Sequence, residues 1–380
     1  MHHFTLDMLL KKYKHSPADN MSLDDFINKA SVVVGNNAYI LSDYMKSKSI
    51  DRSVIQILLD SIKNRKNYLQ RFYNMSLRIT DDNNQIHGMI EPMKNNEMDN
   101  NKGVVFKNII RNLHFYDILQ KTSSGLENIP TYLNIIDNLY KKNTIDYKIL
   151  TPSSIHYMQK GRLGSVFSSY YFRASILNPY LIYSLNINLL KGTKIFTPTL
   201  GWSSYMVGFL ESPDVKQYVG TDVIPDVCKK TEQLSSRYSK QIDIYCKPSE
   251  DLYKDDLFMK KYRGHFDVVF FSPPYYKLEL YKSSNQSTTR YKSYEKWLKN
   301  YWEVTVKLCN ELLEKGGRMC YILSGYGNGK KSGNYDLIND MNNITEKYFN
   351  LVSVQPMYNK NVHATKHRET GEQIMLYLKK

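Results

Sequence analysis

The residues most able to do chemistry lie between Phe266 and Tyr276, which read FDVVFFSPPYY. An apolar run of strand length ends there in Ser272-Pro273-Pro274-Tyr275. Neither proline can donate to a sheet ladder, so the chain must leave the sheet along a fixed, extended path. Open α/β sheets bind ligands outside the carboxyl ends of their strands. A turn in that place offers a hydroxyl on Ser272, rigid carbonyl acceptors around Pro273 and Pro274, and an aromatic face on Tyr275. That set suits a planar ring bearing an exocyclic amine. The acceptors fix its two N–H groups, the tyrosine sandwiches the ring, and the nitrogen lone pair is freed from conjugation and aimed at an electrophile. A plain strand-ending Pro-Pro turn with an exposed tyrosine is the structural alternative. The preceding buried strand and the flanking Ser and Tyr favour the chemical reading.

The elements that must position this turn begin near Asn178. From there, helix-length segments alternate with short apolar runs: 193–197, 217–222, 242–246, 266–271, 318–323, 351–356 and 373–378. Strands of this length separated by helices indicate βαβ units and a mainly parallel, doubly wound α/β sheet. The short polar connection between the last two allows a terminal antiparallel hairpin. Residues 1–150 read as a helical accessory domain for target recognition or docking, and 151–380 as the α/β domain. Apolar stripes run through 53–73 and 105–119. The aperiodic, Asn-rich stretch 84–103 reads as a loop or mobile insertion.

The chain has 380 residues, 42% hydrophobic and 23% charged, which excludes wholesale disorder. Its formal net charge of +15 points to an anionic partner, nucleic acid above all, rather than a small neutral substrate. Roughly +4 of that surplus lies in the first 150 residues, so most of it falls on the α/β part. A basic patch of Lys277, Lys282, Arg290 and Lys292 follows the SPPY turn, and Lys366, His367 and Arg368 add to it from the loop between the last two strands. These would carry a nucleic-acid backbone, and Tyr276 or Tyr326 could stack on a neighbouring base. The segment 325–334 lacks the phosphate-loop pattern and reads as a mobile basic loop. The four cysteines have no CxxC spacing, so neither a disulfide framework nor a metal site is expected. No secretory signal or membrane-length apolar run is seen, and a soluble, intracellular protein is expected.

SPPY resembles catalytic motif IV of the AdoMet-dependent amino-methyltransferases, which methylate exocyclic nitrogens of adenine or cytosine, usually in DNA. Other stations follow in the family's order. Tyr171-Phe172-Arg173-Ala174-Ser175 resembles motif X, beside the methionine end of the cofactor. Thr197-Pro198-Thr199-Leu200-Gly201-Trp202 resembles the motif I turn in a variant of some viral and phage-type methylases. Tyr218 to Asp222 resembles motif II, and Pro248 to Leu252 sits where motif III is expected. Gln286, Arg290-Tyr291, Tyr294-Glu295 and Trp297 resemble a segment of the same phage-type enzymes. The likeness spans about residues 155 to 380.

The resemblance implies a Rossmann-like, seven-stranded class I methyltransferase sheet and S-adenosyl-L-methionine as cofactor. It implies roles for Phe172 and Arg173 at the methionine end, for Thr197, Gly201 and Trp202 in the first turn, and for Asp222 on the ribose hydroxyls. Ser249 or Glu250 would contact the adenine amine. Asp222 as a helix cap, and Ser249 and Glu250 as a capping box, stay open beside these roles. The family usually carries Asp or Glu at the end of the first strand, where this chain has Thr197, and more small residues after it, of which only Gly201 is present. The activity implied is methyl transfer to a base amine, cytosine N4 somewhat before adenine N6, in DNA more than RNA. A protein partner or self-association would use the N-terminal part. The competing expectation, from the altered first turn, is a methyltransferase fold that binds nucleic acid or serves as a scaffold without catalysis.

Overall fold

The computed structural model describes residues 3–81, 84–88, 90–125, 129–325, 335–359 and 369–380. Its central feature is a seven-stranded sheet: β1 (Lys194–Thr197), β2 (Gln217–Thr221), β3 (Gln241–Tyr245), β4 (Phe266–Phe271), β5 (Leu313–Ser324), β6 (Phe349–Tyr358) and β7 (Glu369–Lys379). In space the order is β6-β7-β5-β4-β1-β2-β3. The first five strands pair in parallel, and β7 runs antiparallel between β5 and β6. The expected Rossmann-like sheet with its terminal hairpin is the sheet observed. Its strands are apolar on both faces: β2 is buried throughout and β4 at five of six positions. That is the signature of a parallel sheet covered by helices on both sides.

The strand order reverses at β1, whose neighbours are β2 on one side and β4 on the other. Ile195 pairs with Val268 and Phe196 with Val269, so the chain leaves β1 and β4 side by side at their carboxyl ends. This switch point is where doubly wound folds open a crevice.

The chain divides into two compact units, one of residues 79–114 with 175–380, the other of 2–78 with 115–174. This differs from the expected boundary at 150. Residues 79–114 fold with the sheet because their polar groups are tied to it. The Met93 amide donates to Ser184 Oγ at 3.0 Å, and Asn100 exchanges hydrogen bonds with the backbone of Ile176 and Asn178. Met93 and Met98 are fully buried. The described part of 84–103 is therefore packed chain rather than a mobile insertion.

The second unit is mainly helical and also holds a three-stranded sheet of Asn37–Ile40, Ser31–Val34 and Thr144–Asp146. The apolar stripe over 53–73 is carried by two helices, Arg52–Lys63 and Arg65–Ser76, that meet at Asn64. Asn64 bonds the Asp60 carbonyl with its own side chain, the local competition that makes Asn a poor helix interior. Arg65 then turns inward, donating to the Tyr13 carbonyl at 2.7 Å and pairing with Asp19.

Candidate active site

A cavity of about 240 Å³ opens at the carboxyl ends of β1, β2 and β4, within the unit that carries the sheet. All four residues of the SPPY turn line it, together with Gly201, Trp202, Asp222, Ser249 and Glu250. The structure thus brings four of the sequence stations to one cavity.

The turn after β1 has an unusual backbone. Gly201, Trp202 and Ser203 are three successive residues at positive φ, +51°, +60° and +70°. A side chain in that region costs about 1–2 kcal/mol, so two non-glycine residues there need anchoring. Ser203 supplies it: fully buried, its hydroxyl bonds His114 Nε2 at 2.9 Å and Thr231 Oγ1 at 2.7 Å. Gly201 is required for a reason the sequence did not reveal. A Cβ there would lie 2.2 Å from the Tyr205 ring, so the space against this glycine holds an aromatic side chain of the protein.

Tyr205 also reaches the other wall. Its phenol accepts a hydrogen bond from the Ser272 amide at 3.1 Å, fixing the first residue of the SPPY turn. Tyr275 is fixed from the opposite side, its phenol accepting from the Ser324 amide at 2.9 Å, and burial, then the Glu372 carboxylate, raises its pKa. The Tyr275 ring is held as a rigid part of the cavity wall.

Asp222 closes β2 toward β1. Its carboxylate accepts from the amides of Leu200 at 3.1 Å, Val223 at 2.8 Å and Ile224 at 3.1 Å. A carboxylate offers about four acceptor positions, so roughly one is left for a ligand rather than two. Burial raises its pKa against the pull of those amides. It does not cap the helix Pro225–Ser235, whose N-cap is Ile224. Nor do Ser249 and Glu250 form a capping box, because the helix Ser249–Leu252 begins after Pro248 with no side-chain cap. Ser249 Oγ bonds Thr305 Oγ1 at 2.9 Å, and Glu250 pairs with Arg290 at 2.7 Å.

Other expected residues lie elsewhere. Thr197 is buried beneath the cavity, its hydroxyl bonded to the Tyr218 phenol at 2.6 Å. Phe172 and Arg173 belong to the other unit, where Phe172 exchanges backbone hydrogen bonds with Pro130 and Tyr132. Of the motif X stretch, Ser175 lines the cavity. Arg290 is not a free cation for a phosphate, since it is bound by Glu250 and Asp251. Tyr276 is only 1% exposed, packed against Tyr294 and Trp297, so it cannot stack on a base. Lys277, Lys282 and Lys292 are exposed, as a backbone-binding patch requires. Lys366, His367, Arg368 and Tyr326 fall outside the described residues.

Lining residues that were not among the candidates include Asn100, Tyr205, Glu279 and Tyr301. Burial raises the pKa of the Glu279 carboxyl, while the Ser175 amide at 2.9 Å and the Tyr281 phenol at 2.9 Å favour its charge. The Tyr301 hydroxyl is buried with no hydrogen-bond partner among the described residues, an orphan on the wall that a ligand can satisfy. Among the described residues the charged lining side chains are Asp222, Glu250, Glu279, Glu372 and one cation, Lys247, itself paired with Asp255. Among the described residues the lining of this cavity is therefore acidic on balance, which suits a cationic ligand. Among the described residues no cluster of His, Cys, Asp and Glu could hold a metal, and no helix is long and apolar enough to cross a membrane.

No protein-family model matches the chain, and no curated protein does. Solved structures that resemble it include the N-methyltransferase NodS from Bradyrhizobium japonicum in complex with S-adenosyl-L-homocysteine, at 12% identity over 52% of this chain and 83% of that one, TM-score 0.34. Another is 1,6-didemethyltoxoflavin-N1-methyltransferase from Burkholderia thailandensis, at 11% identity over 49% of this chain and 70% of that one, TM-score 0.32. TrmN from Thermus thermophilus aligns at 14% identity over 54% of this chain and 49% of that one, TM-score 0.37.

Proposed function

We propose that the protein is an AdoMet-dependent methyltransferase acting on an exocyclic amino nitrogen of a nucleic-acid base, in DNA before RNA and at cytosine N4 before adenine N6. The observation that carries the reading is the meeting of the SPPY turn with the β1 and β2 ends in one acid-lined, aromatic cavity. The residues fit the cofactor: Asp222 keeps an acceptor position for a ribose hydroxyl, Trp202 and Ile224 offer apolar faces, and Tyr301 offers its orphan hydroxyl. When bound, AdoMet supplies an electrophilic methyl group.

The chain's own residues account for the rest. The base is turned out of its stack, because its amine cannot be reached in line within a duplex. Tyr275 presents a ring already immobilised by Ser324, so stacking costs little further ordering. Ser272 and the Pro273 carbonyl accept from the amine on a turn that Tyr205 holds in place. Positioning of this kind, with carbonyl and hydroxyl dipoles aimed at a nitrogen that becomes cationic, is the main source of rate. No covalent intermediate is needed. The exposed Lys277, Lys282 and Lys292 supply backbone contacts. Titration of AdoMet and S-adenosylhomocysteine by calorimetry, followed by transfer of tritiated methyl to DNA, RNA and protein side by side, tests the reading and its substrate.

A second reading, a methyltransferase fold that binds nucleic acid without catalysis, is favoured by one observation: the Tyr205 ring occupies the space against Gly201. Absence of any AdoMet binding in the same titration would select it.

A further inference from the structure

Each acid of the cavity wall except Glu279 has a structural task or a strong competitor in view. Asp222 has about three of its four acceptor positions filled by backbone amides. Glu250 is bound to a guanidinium. Glu372 sits on β7 opposite Ser324, beside the Tyr275 phenol. Glu279 is different. Its hydrogen-bonding neighbours are all neutral, the Ser175 amide on Oε1, the Tyr281 phenol on Oε2 and the Ser175 hydroxyl, and among the described residues no cation pairs with it. These donors fix the orientation of the carboxylate and leave about one acceptor position open. A half-buried carboxylate held this firmly with no countercharge is a site for a cation.

Its position says which end of the ligand it meets. Tyr281, which holds Oε2, packs edge-on against Trp202 in the turn after β1, with ring centroids 5.9 Å apart. Glu279 therefore belongs with the first turn, where the strand-end residue is Thr197 rather than an acid and is spent on Tyr218. AdoMet carries two positive groups, a sulfonium with no hydrogen to donate and an ammonium with three donors. An open acceptor position on a fixed carboxylate matches the second.

Resting on the cofactor reading above, we propose that Glu279 is the anionic anchor for the α-ammonium group of the bound AdoMet. It is a binding residue supplied by the short strand Glu279–Leu280 that follows the catalytic turn.

The test compares Glu279→Gln with the wild type in calorimetric titrations with S-adenosylhomocysteine, AdoMet and 5′-methylthioadenosine, which lacks the amino-acid tail. Glutamine keeps the shape and can still accept from Ser175. The expected result is at least a tenfold loss of affinity for both S-adenosylhomocysteine and AdoMet, with 5′-methylthioadenosine within twofold. Equal affinities in the two proteins, or a loss confined to AdoMet, would overturn the assignment, the latter by pointing to the sulfonium. Wild-type protein that binds none of the three would instead refute the cofactor reading itself. If the variant fails to melt cooperatively, wild-type binding of S-adenosylhomocysteine and of its N-acetyl form decides. At least tenfold weaker binding of the acetylated ligand supports the anchor, and equal binding removes it.

Discussion

The Tyr205 phenol accepts the amide hydrogen of Ser272 at 3.1 Å, while the ring of the same tyrosine fills the space that a side chain at position 201 would need. One residue thereby joins the turn after β1 to the turn after β4, the two halves of the cavity. Tyr205→Phe keeps the ring and removes the acceptor, leaving the Ser272 amide without this partner. A lost buried hydrogen bond of this kind costs about 1–3 kcal/mol. The variant is expected to melt a few degrees lower and to transfer methyl groups about tenfold more slowly, with cofactor affinity within threefold. Scanning calorimetry and single-turnover transfer check this. A variant with normal transfer would separate the two turns.

Gly201→Ala tests the other half of that relationship. The new Cβ would stand 2.2 Å from the Tyr205 ring on a backbone already at φ +51°. Overpacking and left-handed strain together are expected to cost about 3 kcal/mol or more. Gly201→Ala with Tyr205→Ala should recover part of that loss relative to the sum of the singles, as coupled neighbours do. Denaturant melts of the four proteins provide the cycle, and strict additivity would contradict the contact.

Arg290 and the lysines near it should separate cleanly. Arg290→Ala leaves Glu250, whose side chain is only 4% exposed, without its cation. Breaking such a pair costs about 3–5 kcal/mol, so the damage should appear in stability. Lys277→Ala, Lys282→Ala and Lys292→Ala should melt like the wild type, since all three side chains are exposed. Each should instead weaken nucleic-acid binding and reduce its salt slope by about 1. Fluorescence titrations at several salt concentrations measure the slopes. A lysine variant with an unchanged slope would take that residue out of the patch.

The sheet was legible because its strands are apolar runs of the right length, and β4 with SPPY carried its own chemistry. The site was legible only where a motif marks it. Glu279 and Tyr205 bear no motif; they matter through contacts made across the fold, Glu279 with Ser175 and Tyr205 with Ser272. Arg290 looked like part of a surface patch because sequence shows charge but not pairing. The break at Asn64, whose side chain bonds the Asp60 carbonyl, is a local feature that periodicity does not register. The described part of 84–103 packs through Met93, Met98 and Asn100, whose spacing has no period.

Burial raises the carboxyls of Asp222, Glu250 and Glu279 above their ordinary range in the folded chain. A raised acid binds its proton more tightly folded than unfolded. The ligand-free protein should therefore gain stability as pH falls from neutral through the folded values, the gain ending near the ordinary carboxylate range of about 4. Glu279→Gln removes one such group, so it should melt above the wild type at neutral pH, with the difference shrinking on acidification. Melting curves across pH measure this. A variant less stable at neutral pH by an amount independent of pH would show that Glu279 is not strained in its charged form.

The central claim is that the Tyr275 ring, beside a bound AdoMet, presents a base amine for methylation. The direct measurement is transfer of tritiated methyl from AdoMet to DNA by wild type, Tyr275→Phe and Tyr275→Ala, with S-adenosylhomocysteine affinity determined for each. The account predicts label in the exocyclic amine fraction of the bases, kept within tenfold in Tyr275→Phe, which retains the ring. It predicts loss of label below detection in Tyr275→Ala, with affinity within threefold throughout. Undiminished transfer by Tyr275→Ala, or no labelling of nucleic acid by a wild-type protein that binds AdoMet, would contradict it.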